Sequence, residues 1–277
     1  MWKIDKPELS RAMGKDLREL VANCDELDDT DKPAIKQLYK EYDDQHGSVT
    51  DAQLNAISTE KAKAIHVMYK ETYENKSLAY IRDELMEVVY KCPYCSIAQP
   101  DTLDHYMPES KYEALAICRM NLVPMCGKCN NYKGTKPYQK FIHCYYEPLP
   151  TVAPFLIAKV YTLKQRFIVR FSFDSAAIGD ANLESKLVYQ EKEIRLFIRL
   201  EKESVVFVNT LCRSCEQNDT PSLKLWLNRR LADYEDEFGM NDWRCAVIRG
   251  MLAYPGLDIS QISYNKLNPR RVSAGGV

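Results

Sequence analysis

Two Cys-x-x-Cys pairs, Cys92/Cys95 and Cys126/Cys129, stand 30 residues apart in this 277-residue chain. A two-residue spacer lets both sulfurs of a pair point at one ion, and four thiolates suit tetrahedral zinc. The spacing predicts one closed, structural zinc site. Metal binding there would supply much of the folding free energy of a segment poor in apolar residues. The interval is longer than in a simple zinc ribbon, so something is built within the loop. Cys212/Cys215 repeats the spacing, but no second pair lies near it, and it reads as two thiols at or near a helix end. Cys24, Cys118, Cys144 and Cys245 read as small packing residues.

The interval contains TLDHYMPES, then NLVPMC, and closes on CNNYKG. Leu103-Asp104-His105-Tyr106 is a short β-like step, in which neighbouring side chains point to opposite faces. Asp104 and His105 therefore need not compete for one ligand position. Hydrolysis of a phosphodiester needs a base for water and a cation for the developing charge. His105 suits the base, because an unperturbed imidazole titrates near neutrality. Asp104 offers the hard oxygen that magnesium prefers. Asn130 offers a neutral oxygen from the start of a helix predicted over Cys129 to Lys140. Lys133 lies three residues on, on the same helical face, within reach of a phosphate.

The charge pattern is local. Net charge is −1, so nothing global advertises nucleic acid. Between Arg119 and Lys140, however, stand five basic residues (Arg119, Lys128, Lys133, Lys136, Lys140) and no acidic one. That predicts a phosphate-facing strip on a neutral protein. Tyr132 and Tyr138 interleave with it, either as stacking platforms or as packed side chains. Glu109, Ser110 and Lys111 follow the base and are candidates for shaping a substrate. His143 reads as structural. His46 and His66 lie in helical stretches without companion ligands and are given no role.

The residues CPYC, LDHYMP, NLVPMC and CNNYKG resemble those of the HNH, or ββα-metal, nucleases. The resemblance covers about 45 residues of the chain. It implies that His105 is the general base, that Asp104 and Asn130 hold a catalytic magnesium or manganese, and that Asn121 braces the loop that orients the base. More widely, the Lys-Pro step near the start, a helical arm, LDHYxPxS, NLVPxCxxCN and a His-aromatic step (His143, Tyr145, Tyr146) resemble the HNH subunit of Septu-type antiphage systems, PtuB. That subunit pairs with an ATPase, PtuA, and some such systems are attached to retrons. The likeness implies a metal-dependent endonuclease acting on DNA as the effector of a defence complex. A ribonuclease and a non-catalytic zinc-stapled interaction module are the alternatives.

Around the motif the chain divides in three: a helical arm over 1–90 that could dock a partner, a nuclease core over 91–147, and a β-hairpin with helices over 148–277. Helices are predicted from Pro7 to Ala22, from Lys32 to Tyr42, as one long element from Asp51 to Glu74, and from Ser77 to Val89. Pro148 to Pro154 marks a boundary. LIAKVYTL and RFIVRFSF then read as hairpin arms. LVYQEKEIRLFIRLEKESVVFVNTL, LKLWLNRRLADYEDEF and DWRCAVIRGMLAY read as three helices, and Arg270-Arg271 opens a frayed tail. The expected fold class is mainly α with a small α+β zinc-stapled ββα-metal core. The start of the chain lacks an apolar signal region and no long apolar run occurs, so a cytoplasmic protein without membrane contact is expected.

Overall fold

The computed structural model describes residues 4–163, 166–217 and 223–255. The chain is mostly helical, with two small two-stranded antiparallel sheets. It divides at Pro148–Leu149 into two compact units. Residues 1–90 and 91–147 both fall within the first unit. Arg270 and Arg271 lie outside the described residues, as does the Cys215 side chain.

In the first unit, helices α1 (Leu9–Ala22) and α2 (Lys32–Asp44) pack together and bury Leu17, Leu20, Ile35 and Leu38. The predicted long helix over 51–74 is broken into α3 (Asp51–Leu54), α4 (Thr59–Met68) and a 3₁₀ turn, Tyr69–Thr72. Side-chain caps explain the break. Thr50 and Gln53 close a capping box on α3, and Ser58 accepts from Lys61 N to start α4 afresh. Helix α5 (Ala79–Glu87) follows. Strands β1 (Thr102–His105) and β2 (Leu122–Met125) pair with Asp104 opposite Val123 and His105 opposite Leu122. Helix α6 (Gly127–Lys133) packs on β1. It stops at Gly134, whose φ of +48° suits glycine, instead of continuing to Lys140. A separate 3₁₀ turn, Tyr138–Lys140, follows Pro137.

In the second unit, β3 (Leu156–Leu163) and β4 (Arg166–Phe173) form the predicted hairpin, with Leu156 opposite Phe173. A short helix α7 (Ser175–Ile178) leads to α8 (Ala181–Ile194), which Asp180 caps by accepting from Leu183 N. The run read as one helix from Leu187 bends at Arg195, which takes a left-handed φ of +53°, and restarts as α9 (Leu196–Gln217). Helices α10 (Leu223–Phe238) and α11 (Trp243–Leu252) match the two last predicted helices to within two residues at either end. Helix α11 lies against β3 so closely that a Cβ on Gly250 would stand 2.3 Å from the Ala158 carbonyl oxygen. Among the described residues no helix is long and apolar enough to cross a membrane.

Candidate metal centre and active-site cavity

Cys92 and Cys95 lie in a tight knuckle, held by hydrogen bonds from Cys92 N to Ala98 O (2.8 Å) and from Ser96 N to Cys92 O (2.9 Å). Cys126 caps α6, and Cys129 sits in its first turn. The four thiol sulfurs are buried and lie within 4.8 Å of one another. The Cys95 and Cys126 sulfurs are 3.8 Å apart. A zinc ion with sulfurs at about 2.3 Å has tetrahedral S···S edges of about 3.8 Å. The donor set thus fits a metal such as zinc in geometry and in chemistry. Hydrogen bonds from the neighbouring thiols, Cys129 foremost, pull Cys126 down to about 6, whereas burial pushes Cys92 well up. Such a buried cluster favours a thiolate set only when a dication shares the charge.

Beside this centre a cavity of about 560 Å³ opens over β1. Asp104, His105 and Asn130 all line it, together with Tyr69, Tyr73 and Arg82 from the N-terminal helices and Glu109 from the loop after β1. His105 is 7% exposed, and its Nε2 lies 2.8 Å from the Ala116 carbonyl oxygen. A carbonyl only accepts, so Nε2 carries the hydrogen and Nδ1 keeps the free lone pair. The ring packs edge-to-face on Tyr69 at 4.4 Å between centroids. Burial lowers the imidazole to about 4, so it is neutral at physiological pH.

Asp104 is buried and paired with Lys133. The ammonium lies 2.9 Å from Oδ2 and 3.2 Å from Oδ1, and it also donates to the His105 carbonyl at 2.7 Å. Burial nevertheless outweighs Lys133 and raises the Asp104 carboxyl to about 6. Oδ2 is the closer of the two oxygens to the ammonium. Asn130 donates from Nδ2 to Thr102 Oγ1 (3.1 Å), and Thr102 spends its own hydrogen on Met125 O (2.8 Å). The hydroxyl can then only accept, which fixes the amide orientation and leaves the Asn130 carbonyl oxygen without a protein partner. Asp104 and Asn130 thus offer two hard oxygens to one cavity, a pair suited to a small divalent cation.

Asn121 is fully buried and does not line the cavity. Its Oδ1 accepts from Met107 N (2.7 Å) and from the Tyr42 hydroxyl (3.1 Å), and its Nδ2 donates to Met107 O (3.1 Å) and Leu115 O (3.3 Å). The three bonds to Met107 and Leu115 pin both ends of the loop that carries the Ala116 carbonyl. His143 is buried, 3.1 Å from the same Tyr42 hydroxyl, and takes a structural place.

The expected phosphate-facing strip is not one surface. Lys133 is wholly buried against Asp104. Arg119 is 4% exposed and clamped by Asp16 (2.6 Å) and Glu84 (2.7 Å). Neither can meet a phosphate; both neutralise buried carboxylates, as charges so placed must. Lys128 and Lys140 are exposed, and Lys136 is half-buried and bonded to the Tyr132 carbonyl; none of the three lines the cavity. Tyr138 packs inside, against Tyr106 and Tyr112. Among the described residues the lysine or arginine in the cavity wall is instead Arg82; its Nε bonds Thr72 O (3.2 Å) and its guanidinium lies over Tyr73. Local sequence holds no signal for it, because only the packing of α5 brings it there. His66, given no role above, has companions after all: Glu109 and Glu113 each approach within 3.6 Å. No family model matches the chain, and neither does a curated protein or a solved structure.

Proposed function

We propose that the chain is a metal-dependent nuclease of the HNH, ββα-metal kind, hydrolysing phosphodiester bonds, with DNA as its substrate. One observation carries this reading. A buried, neutral histidine is tethered through Nε2 and open at Nδ1, on the same strand as a carboxylate, in a cavity that an unpartnered Asn oxygen shares. The β1–β2–α6 order, with the cysteine cluster at the root of α6, is compatible with this reading.

In this reading Asp104 and Asn130 would hold a magnesium or manganese ion, which supplies Lewis acidity at the scissile phosphate. His105 Nδ1 takes the proton of the attacking water. The Ala116 carbonyl keeps the ring in the tautomer that can do so, and Asn121 keeps that carbonyl in place. Lys133 holds Asp104 by its carboxylate, and Arg82 faces the phosphate charge. The four cysteines would hold a structural ion that takes no part in the chemistry, because four sulfurs would leave a tetrahedral ion no open position. Among the described residues Arg82 alone of the lysines and arginines lines the cavity, and net charge is −1, so affinity for a polyanion must come largely from elsewhere. An ATPase partner, as in Septu-type defence complexes, fits that need.

The test is cleavage of plasmid DNA and of total RNA by purified protein, with and without magnesium or manganese, beside His105→Ala. Metal-dependent DNA cutting that His105→Ala abolishes, at unchanged zinc content, is expected. RNA cutting alone would replace the substrate. Cutting by His105→Ala at the wild-type rate would overturn the assignment of the base.

A further inference from the structure

Among the groups around the cavity, Glu109 has the least explained position. Its side chain is 37% exposed, yet Oε2 is turned inward, buried and without a hydrogen bond. That oxygen lies 3.4 Å from His105 Nδ1 and 3.6 Å from His66 Nε2. His105 spends its Nε2 hydrogen on Ala116, so Nδ1 and Oε2 are two acceptors facing each other with no hydrogen between them. Two buried acceptors so placed call for a shared donor. A water oxygen within hydrogen-bond reach of both would give one hydrogen to each and keep a lone pair directed outward. We propose that Glu109 is a catalytic residue that holds the attacking water against His105, and that His66, from helix α4, positions the Glu109 carboxylate.

This deepens the nuclease reading and rests on it. In the step, the hydrogen bonded to Nδ1 passes to His105 as the new O–P bond forms. The second hydrogen stays on the oxygen and remains bonded to Glu109. The P–O3′ bond breaks, and the leaving oxygen takes its proton from solvent. Glu109 thereby fixes the direction of the nucleophile's lone pair, which the single bond to His105 leaves free to rotate. His66 is 35% exposed and sits between Glu109 and Glu113, 3.6 Å from each. A ring with carboxylates at both nitrogens is held in orientation from two sides. His66 lies outside the Cys92–Gly134 motif, so the N-terminal helices contribute to the reaction geometry and not only to packing.

The experiment uses the full-length, zinc-loaded chain under single-turnover conditions with magnesium titrated. The variants are Glu109→Gln, Glu109→Ala, His66→Ala and His66→Gln, with wild type and His105→Ala as references. Glu109→Gln keeps the shape but swaps an acceptor for a mixed amide. We expect it to lower the saturating rate by roughly 10- to 100-fold, the scale of a misoriented nucleophile, with unchanged substrate and magnesium half-saturation. Glu109→Ala should fall at least as far. His66→Ala should lose about tenfold in the same constant, and His66→Gln, whose amide can donate to Glu109, should recover most of it. A Glu109→Gln rate equal to wild type, beside a dead His105→Ala, would overturn the inference and leave the nuclease reading standing. A weakened magnesium half-saturation with a normal saturating rate would assign Glu109 to the cation and overturn it too. Absence of all cleavage by wild type removes the nuclease reading, and the inference with it.

Discussion

Lys133 offers the sharpest quantitative test of how the site is held. Its ammonium is fully buried and compensates Asp104, whose carboxyl burial has already raised from 3.8 to about 6. A rise of that size corresponds to about 3 kcal/mol of cost in keeping the carboxylate ionised at neutral pH. Lys133→Met removes the compensation and leaves a buried carboxylate facing a thioether, which typically costs about 3–5 kcal/mol. The sign with pH follows from the raised carboxyl. Above the unfolded value the unfolded chain has lost the proton more fully than the folded one, so ionising Asp104 disfavours the fold. In the variant the folded value moves above about 6, and the loss of stability shrinks as pH falls from neutrality toward the ordinary carboxylate range. Urea denaturation of both proteins, zinc-loaded, at several pH values between roughly 4.5 and 7.5 measures the difference, in which the shared cysteine centre cancels. Adding Asp104→Asn to Lys133→Met should restore about 1–3 kcal/mol, because the uncompensated charge is gone. A loss below about 1 kcal/mol, or one independent of pH, would refute the argument that Lys133 exists to neutralise Asp104.

Cys126→Ser should abolish stoichiometric zinc in elemental analysis and unfold the first unit, since the metal supplies on the order of 10 kcal/mol in comparable sites; retained zinc at one per chain would contradict the four-sulfur centre. Arg82→Ala should reduce kcat/KM for a nucleic acid about 10- to 100-fold and lower the salt slope of binding by about one, with Arg82→Lys in between; an unchanged slope would remove Arg82 from the phosphate. Gly250→Ala should cost about 1–3 kcal/mol, because the new methyl meets backbone and not a flexible side chain; a thermal melt matching wild type would mean that α11 and β3 are not so closely packed.

Local chemistry was legible where it depends on spacing. The Cys-x-x-Cys pairs announce a four-sulfur centre, and the alternation in RFIVRFSF announces a hairpin arm; both stand in the structure. Helix ends were readable but overridden by long apolar periodicity. Ser58 and Gly134 each carry a start or stop signal, and the continuous helices predicted across them ignored it. The basic strip failed for a different reason. Charge counted along a segment says nothing of what lies across the fold, and the partners of Arg119 and Lys133 are Asp16, Glu84 and Asp104, on other elements. The same limit hid Arg82 and Tyr69, which reach the cavity only because the 69–72 turn and α5 fold against the motif, and His66, which α4 brings beside Glu109.

Asp16 in α1 clamps Arg119, Tyr42 in α2 bonds Asn121, and the Tyr69 hydroxyl donates to the Leu103 carbonyl on β1 at 3.0 Å. The consequence is one of modularity. The recognisable motif is not a cassette: spliced into another scaffold as residues 91–147 alone, it would leave behind the clamp on Arg119, the tyrosine behind Asn121 and the wall behind His105. What can be transplanted is the block from the first helix to Pro148, and that block, not the shorter string of cysteines, histidine and asparagines, is the unit that inheritance must carry intact.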